Sequence, residues 1–287
     1  MEPDLWFTEK YKDSFGLSLK VESTLFHAKS QFQAIDVFET KSFGRMLTLD
    51  GMVMTTEKDE FIYHEMISHI PMLVHPCPKN VLVIGGGDGG TIREVLKYPS
   101  VEKAVLCEID GMVIDACREF LPSIAGKLND PKVEIQVCDG VEYISKQKNR
   151  FDVIIIDSTD PLGPGEGLFT EEFYCNVRDA LKSDGIMTAQ SESPIANQRE
   201  IKLIYSLLNK VFPVVKSYVA PIPTYPGGYW SWAFCSKNIN PLDNINSEVA
   251  AKIEKTSKYY NSEIHKAAFA LPNFLRDLVE NRDSVNC

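Results

Sequence analysis

NVLVIGGGDGGTIREVLKY, residues 80–98, decides the fold. Its apolar run Val81-Leu82-Val83-Ile84 reads as a buried strand. The turn GGGDGG follows at 85–90, and GGTIREVLKY reads as a helix. A strand, a glycine-rich turn and a helix in succession are the opening half of a βαβ unit. Such turns usually wrap backbone amides around phosphate. This one carries a carboxylate, Asp88, which would repel a phosphate. The fold therefore hangs on the turn, and the chemistry on the group that faces Asp88.

The same rhythm continues outward. KAVLCEID, VEIQVCDG, FDVIIIDS and GIMTAQS read as strands, with GMVIDACREFL, VEYISKQK, EEFYCNVRDALK and QREIKLIYSLLNKVF as helices between and after them. VVKSYVAPIP and YWSWAFCSK follow. Alternating strands and helices imply an α/β fold with a mostly parallel sheet. The strand interiors are apolar without alternation, as strands covered on both faces require. Towards the N-terminus, LSLKVESTLFH, FQAIDVFET and RMLTLDGMVM are strand-like runs punctuated by Gly16, Gly44 and Gly51. They predict a small antiparallel β-domain over residues 1–55, leaving 56–287 to the α/β domain and C-terminal helices. TTEKDEFIYHEMISHI reads as a linking helix: Thr56 and Asp59 resemble a capping box, and Tyr63, Ile67 and Ile70 share a face. Pro71, Pro76 and Pro78 are expected to break the chain directly after Ile70.

Bulk properties narrow the function. The net charge of −10 and the absence of a long Lys/Arg cluster argue against a nucleic-acid partner. An acidic balance favours cationic ligands weakly. The seven cysteines are scattered with no C-x-x-C pair, which fits a reducing cytosol and argues against structural zinc. His64 and His69 are five apart, one too many to share a helix face as metal ligands. No apolar run approaches the ~18 residues of a membrane helix, and MEPDLWFTEK has no signal-peptide character. The expectation is a cytoplasmic protein with no metal and no membrane partner.

In an open parallel sheet, ligands bind beyond the carboxyl ends of the strands. Four such positions carry acid: Asp88, Glu108, Asp139 and Asp157, with Asp160 three residues later in DSTDPLGP. Carboxylates converging on one crevice raise one another's pKa unless cations compensate, and a polycationic substrate is the simplest compensation. Each acid also has another reading. Gly85, Gly87 and Gly90 fit G-x-G-x-x-G, and Glu108 lies near the spacing of a ribose-binding acid, so the pattern alone also fits a dinucleotide enzyme. Asp139-Gly140 is equally a turn dipeptide. Asp157 ends the most apolar strand, where an unpaired charge is costly. Tyr63 and His64 fit packing as well as chemistry. PTYPGGYWSW at 223–232, with Tyr225, Tyr229, Trp230 and Trp232, fits either a core cluster or a wall against an ammonium or sulfonium.

LDGMVMTTEKDEFIYHEM, VLVIGGGDGG, CEID, DG, DSTDPLGP, IPTYPGG and YYNSEIHKAAFALP occur in the order seen in spermidine synthases, over about residues 5–278. The chain thus resembles the polyamine aminopropyltransferases, which join a Rossmann-like, class I methyltransferase-type domain to an N-terminal β-domain. The resemblance implies transfer of an aminopropyl group from decarboxylated S-adenosylmethionine, a co-substrate and not a prosthetic group, to putrescine. The products are spermidine and 5′-methylthioadenosine. It assigns the nucleoside sulfonium to Gln33, His64, Asp88, Glu108, Asp139, Gly140 and Pro164. Within that set Glu108 holds the ribose hydroxyls, Asp139 the adenine amino group, and Asp88 faces the aminopropyl ammonium. The diamine falls to Tyr63, His64, Asp157, Ser158, Asp160, Tyr225 and Trp230, with Asp157 as proton acceptor and Asp160 on the distal ammonium. Three residues depart from some members: His64 replaces a Gln, Phe15 lies near a Trp position, and Trp230 stands for an aliphatic residue. Homodimers or homotetramers are expected. The competing readings are methyl transfer from intact S-adenosylmethionine to putrescine, a dinucleotide-dependent oxidoreductase, and a non-catalytic polyamine binder.

Overall fold

An antiparallel meander comes first: β1 (Trp6–Tyr11), β2 (Phe15–Lys29), β3 (Ala34–Thr40), β4 (Gly44–Leu49) and β5 (Met52–Thr56), paired in chain order. The computed structural model describes residues 4–159, 163–243 and 245–280, and of Pro164 only the backbone. RMLTLDGMVM resolves into β4 and β5 around Asp50-Gly51, whose φ values of +49° and +77° suit a tight hairpin turn. Sequence patterning starts the strands at residue 17 and misses β1. WFTEKY has little apolar alternation, and its strand character comes from pairing with β2, Phe7 opposite Leu19 and Glu9 opposite Leu17. Ile35, Val37, Leu47 and Leu49 join the main core, so this sheet is packed onto the rest of the molecule.

Helix α1 (Glu60–Val74) follows. The capping-box reading is corrected: Thr56 ends β5 and Asp59 is the N-cap residue, its carboxylate accepting Thr56 Oγ1 at 2.6 Å and no helix N–H. The proline expectation fails at Pro71, which lies inside the helix. Its missing N–H leaves one helical bond unmade. Met72, Leu73 and Val74 are buried beyond it, and burial of each such side chain contributes ~1.5–3 kcal/mol, enough to carry the helix one turn further.

The second sheet is built from β6 (Asn80–Gly85), α2 (Gly90–Val95), β7 (Lys103–Glu108), α3 (Gly111–Phe120), α4 (Pro122–Ala125), β8 (Val133–Val137), α5 (Gly140–Ser145) and β9 (Phe151–Asp157). A 3-10 turn at Gly163–Leu168 leads to α6 (Glu171–Ala180), β10 (Leu181–Gln190), α7 (Gln198–Val211), β11 (Val214–Ala220) and β12 (Trp230–Ser236). Helices α8 (Ser247–Glu254), α9 (Ser262–Ala268) and α10 (Asn273–Val279) close the described chain. The seven strands lie in the order β11-β12-β10-β9-β6-β7-β8, with β12 antiparallel to both neighbours and the β10-to-β8 run parallel. The α/β expectation and the antiparallel N-terminal sheet are both borne out.

The uninterrupted apolar strands now have their reason. Val81, Val83, Val153 and Ile155 enter one core with α1 and the N-terminal sheet, while Leu82, Ile84, Ile154 and Ile156 enter another under α6 and α7. Both faces are covered, so both sets of alternate residues must be apolar. The strand order reverses between β6 and β9, and a crevice opens at their carboxyl ends, where Gly85 pairs with Asp157. Among the described residues no helix is long and apolar enough to cross a membrane.

Candidate active site

The glycine turn fits itself to the end of β9. Gly86 N–H donates to the Asp157 carbonyl at 2.8 Å. A Cβ on Gly85 would lie 2.2 Å from that carbonyl oxygen, and its φ of +78° is left-handed, so only glycine is accommodated. Asp88 then turns back. Its Oδ1 accepts the Gly90 N–H at 2.9 Å, and its Oδ2 lies 3.2 Å from His64 Nε2. His64 Nδ1 meets Glu60 Oε2 at 2.6 Å, one helical turn away on α1. Arg93 on α2 grips both oxygens of Glu60, at 3.0 and 2.7 Å. Burial disfavours the imidazolium, but the carboxylates of Asp88 and Glu60 outweigh it and hold the His64 pKa well above the usual value. Asp88, also penalised by burial, is held below the usual carboxylate range by His64. The partner facing the odd carboxylate is thus a histidine cation from α1.

Asp157 ends β9 with both oxygens engaged. Tyr63 OH donates to Oδ1 at 2.7 Å and Thr91 Oγ1 donates to Oδ2 at 2.6 Å. Burial, then the charge of Asp88, raise its pKa, against the pull of His64 and the two hydroxyls. A carboxylate raised in this way is better matched to taking a proton. Ser158 and Thr159 continue along the crevice, and Asp160 lies outside the described residues.

The other flank is built on β7 and β8. Glu108, the last residue of β7, accepts the Asp110 N–H at 2.9 Å, and burial lifts its pKa to about 7. Asp110 in turn accepts Ser30 Oγ at 2.6 Å and Gln33 Nε2 at 3.0 Å, which ties the β2–β3 turn to this flank and explains why Gln33 is buried. Asp139 caps α5 through the Val141 N–H at 2.7 Å, the turn its dipeptide anticipates, and it also lines the cleft. A Cβ on Gly140 would fall 2.5 Å from Ile84 Cγ2, which keeps α5 close against β6.

These groups bound an open cleft of about 930 Å³. Gln33, Tyr63, His64, Asp88, Glu108, Asp139, Gly140, Asp157, Ser158 and Tyr225 all line it, and Leu47, Leu49 and Met54 close it from the N-terminal sheet. A second chamber of about 390 Å³ shares Met54, Tyr63, Ser158, Thr159 and Tyr225 with the first and adds Glu9, Tyr11, Gln190 and Trp230. Trp230 therefore borders only the second chamber. Trp230 and Trp232 both belong to the main core, and Trp230 with Tyr225, their rings 4.8 Å apart and edge-on, also forms a wall of the second chamber. Tyr225 OH donates to the Met54 carbonyl at 2.6 Å, and Asp59 holds the loop through Thr224 N–H and Oγ1 at 3.1 and 2.8 Å.

Five contributors escaped sequence reasoning: Glu9, Glu60, Thr91, Arg93 and Asp110. Glu60 lay four residues before His64, and Thr91 directly after the glycine turn, so those two had a local signal. Glu9 had none, because β1 itself was missed.

Among the described residues one trio, His75, Asp152 and Asp184, has metal-ligand spacing, with His75 Nε2 lying 3.9 and 3.8 Å from the two carboxylates. Sequence spacing offers no metal site here, because this grouping joins three distant segments. Asp152 lies near the start of β9, at the sheet end away from the cleft. Cys77 N–H donates to His75 Nδ1 at 3.2 Å, which places a neutral ring's proton on Nε2, and Lys182 Nζ, 2.8 Å from Asp152, supplies the positive charge. A metal would have to displace both.

Comparison with known proteins gives a consistent result. Residues 60–245 match the family model for the spermine/spermidine synthase domain, and residues 5–57 match that for the spermidine synthase tetramerisation domain. The chain is 49% identical to the polyamine aminopropyltransferase of Alkaliphilus oremlandii over 98% of its own length and 99% of that protein. It is 50% identical to the polyamine aminopropyltransferase of Bacillus subtilis, covering 96% and 99%. A crystal structure of a spermidine synthase in complex with the transition-state analogue AdoDATO superposes with a TM-score of 0.94 at 50% identity, covering 96% of this chain and 95% of that one.

Proposed function

The chain belongs to the spermine/spermidine synthase family, and from that premise we propose that it moves the aminopropyl group of decarboxylated S-adenosylmethionine to putrescine. Asp157 is the proton acceptor. The observation that carries this reading is its carboxylate in the first cleft, raised in pKa and hydrogen-bonded to Thr91 and to Tyr63, which lines both chambers.

The nucleoside lies in the first cleft, its ribose hydroxyls donating to Glu108 and its adenine edge towards Asp139 and Gly140, with Gln33 and the backbone at Pro164 on the same site. The diamine runs from Asp157 in the first cleft past Tyr63, Ser158 and Tyr225, which line both chambers, towards Trp230 in the second. An ammonium has no lone pair, so the proximal amine first passes a proton to Asp157. The freed lone pair attacks the carbon next to the sulfonium, the C–S bond breaks, and its electrons neutralise sulfur in the departing 5′-methylthioadenosine. The leaving group is neutral, so orientation and proton removal carry the rate. Asp160 is assigned the distal ammonium on the family resemblance, and Glu9, in the second chamber, is a further carboxylate suited to it.

The bond from His64 to Asp88 changes the argument for a decarboxylated co-substrate. A cation already balances Asp88, so selectivity for an ammonium tail rests on the lone pairs the carboxylate retains beyond its two present partners. Methyl transfer from intact S-adenosylmethionine is the rival reading, and the matched relatives, named for aminopropyl transfer, favour the former. The match of residues 5–57 to a tetramerisation domain supports a homo-oligomer built through an N-terminal unit of about residues 1–55. The free cysteines suit a cytoplasmic setting.

The test is Asp157→Asn. Turnover of putrescine with the decarboxylated co-substrate, followed by mass spectrometry, is expected to fall at least ~100-fold, within the range of a lost general base. Binding of 5′-methylthioadenosine is expected to persist. Wild-type turnover in the variant would refute the assignment.

A further inference from the structure

Asp157 presents two oxygens, and the structure distinguishes them. Oδ2 is packed against the glycine turn, where a Cβ on Gly86 would come within 2.8 Å of it, and it accepts the Thr91 hydroxyl. Oδ1 accepts Tyr63 OH, and Tyr63 lines both chambers. Thr91 is fully buried in the first turn of α2 and borders neither chamber, so its side chain does not reach substrate. An ionised carboxylate only accepts, so the Thr91 hydroxyl must be the donor.

We propose that Thr91 is a positioning residue that assigns the two oxygens of Asp157: its hydroxyl occupies Oδ2 and leaves Oδ1, beside Tyr63, to take the proton of the attacking amine. This rests on the reading of Asp157 as proton acceptor and deepens it. The N–H bond of the ammonium breaks, its proton goes to Oδ1, and the electron pair stays on nitrogen. Thr91 also favours the ionised carboxylate, because a bond donated to an anion weakens when the anion is protonated. The other groups acting on Asp157 among the described residues are Asp88 from the glycine turn, which opposes ionisation, and His64 and Tyr63 from α1, which favour it. Without Thr91 the balance moves towards the protonated, inactive acid.

The experiment measures kcat/KM for putrescine across pH in the full-length enzyme for Thr91→Val, Thr91→Ser and Asp157→Asn, with 5′-methylthioadenosine affinity alongside. For Thr91→Val the acid limb is expected to move up by about one pH unit, a loss of about tenfold along that limb. The alkaline plateau and the nucleoside affinity should change less than about threefold. Thr91→Ser, which keeps the hydroxyl, should overlay the wild type. A role confined to packing would lower activity at all pH values together and leave the limb in place. That result, an unshifted Thr91→Val profile, or a Thr91→Ser profile matching Thr91→Val overturns the proposal. If Asp157→Asn turns over normally, the proton-acceptor reading fails first. If Asp157→Asn is inactive and Thr91→Val is unshifted, only the role of Thr91 falls. Thr91→Ala provides the same comparison should Thr91→Val not fold.

Discussion

Glu108 offers a quantitative test of the nucleoside site. Burial lifts its pKa from 4.5 to about 7, while backbone N–H groups, that of Asp110 foremost, oppose the rise. Ribose hydroxyls donate hydrogen bonds, and an ionised carboxylate accepts them better than a protonated one. Nucleoside binding therefore draws on the ionised form. With a pKa of about 7, some ten molecules in eleven carry a protonated Glu108 at about pH 6, so affinity there should be about tenfold below its alkaline limit. The sign for stability is opposite. A carboxyl whose folded pKa is raised stabilises the empty protein below its unfolded pKa and loses that contribution as pH rises from 4.5 to about 7, about 3 kcal/mol in all. Calorimetric titration with 5′-methylthioadenosine from about pH 5.5 to 8.5, in buffers of different ionisation enthalpy, reads both affinity and proton release. Glu108→Gln should bind more weakly and without the slope. A flat wild-type profile, or a slope that survives in Glu108→Gln, would refute the reasoning and move the titration to another group.

Two further outcomes concern Asp88 and the anchor of the 223–229 loop. Asp88→Asn should weaken the decarboxylated co-substrate by ~10–100-fold, the scale of a hydrogen bond to a charged group, while leaving 5′-methylthioadenosine, which lacks the ammonium, nearly unchanged. Equal losses for both ligands in parallel titrations would contradict the placement of the aminopropyl tail at Asp88. Asp59→Ala removes the acceptor of Thr56 and of both Thr224 donors inside the protein and should cost about 2–4 kcal/mol, read as a lower Tm and a raised KM for putrescine. An unchanged Tm would show that the 223–229 loop is held by its aromatic contacts instead.

Much of this molecule was legible along the chain. The apolar strands were legible because helices cover both sheet faces and demand apolar residues at every position. The acids at strand ends were legible because a parallel sheet delivers its carboxyl ends to one crevice. β1 was not, since an edge strand with polar residues has no pattern of its own. Pro71 misled because a local rule about N–H groups was outweighed by burial further along. Asp160 falls outside the described residues, and its role still rests on the resemblance alone.

The order of motifs and the acids after β6, β7, β8 and β9 were determined by sequence alone, since the chain itself specifies which residue ends each strand. Which charge answers which was decided only in three dimensions. His64 reaches Asp88 because α1 crosses the glycine turn; Gly90 has no side chain to obstruct it, and a Cβ there would meet the ring at 2.3 Å. Thr91 reaches Asp157 across 66 residues because β6 and β9 are neighbours in the sheet. Hydrogen bonds and ion pairs act over a few ångströms, and only the fold brings such separated residues that close.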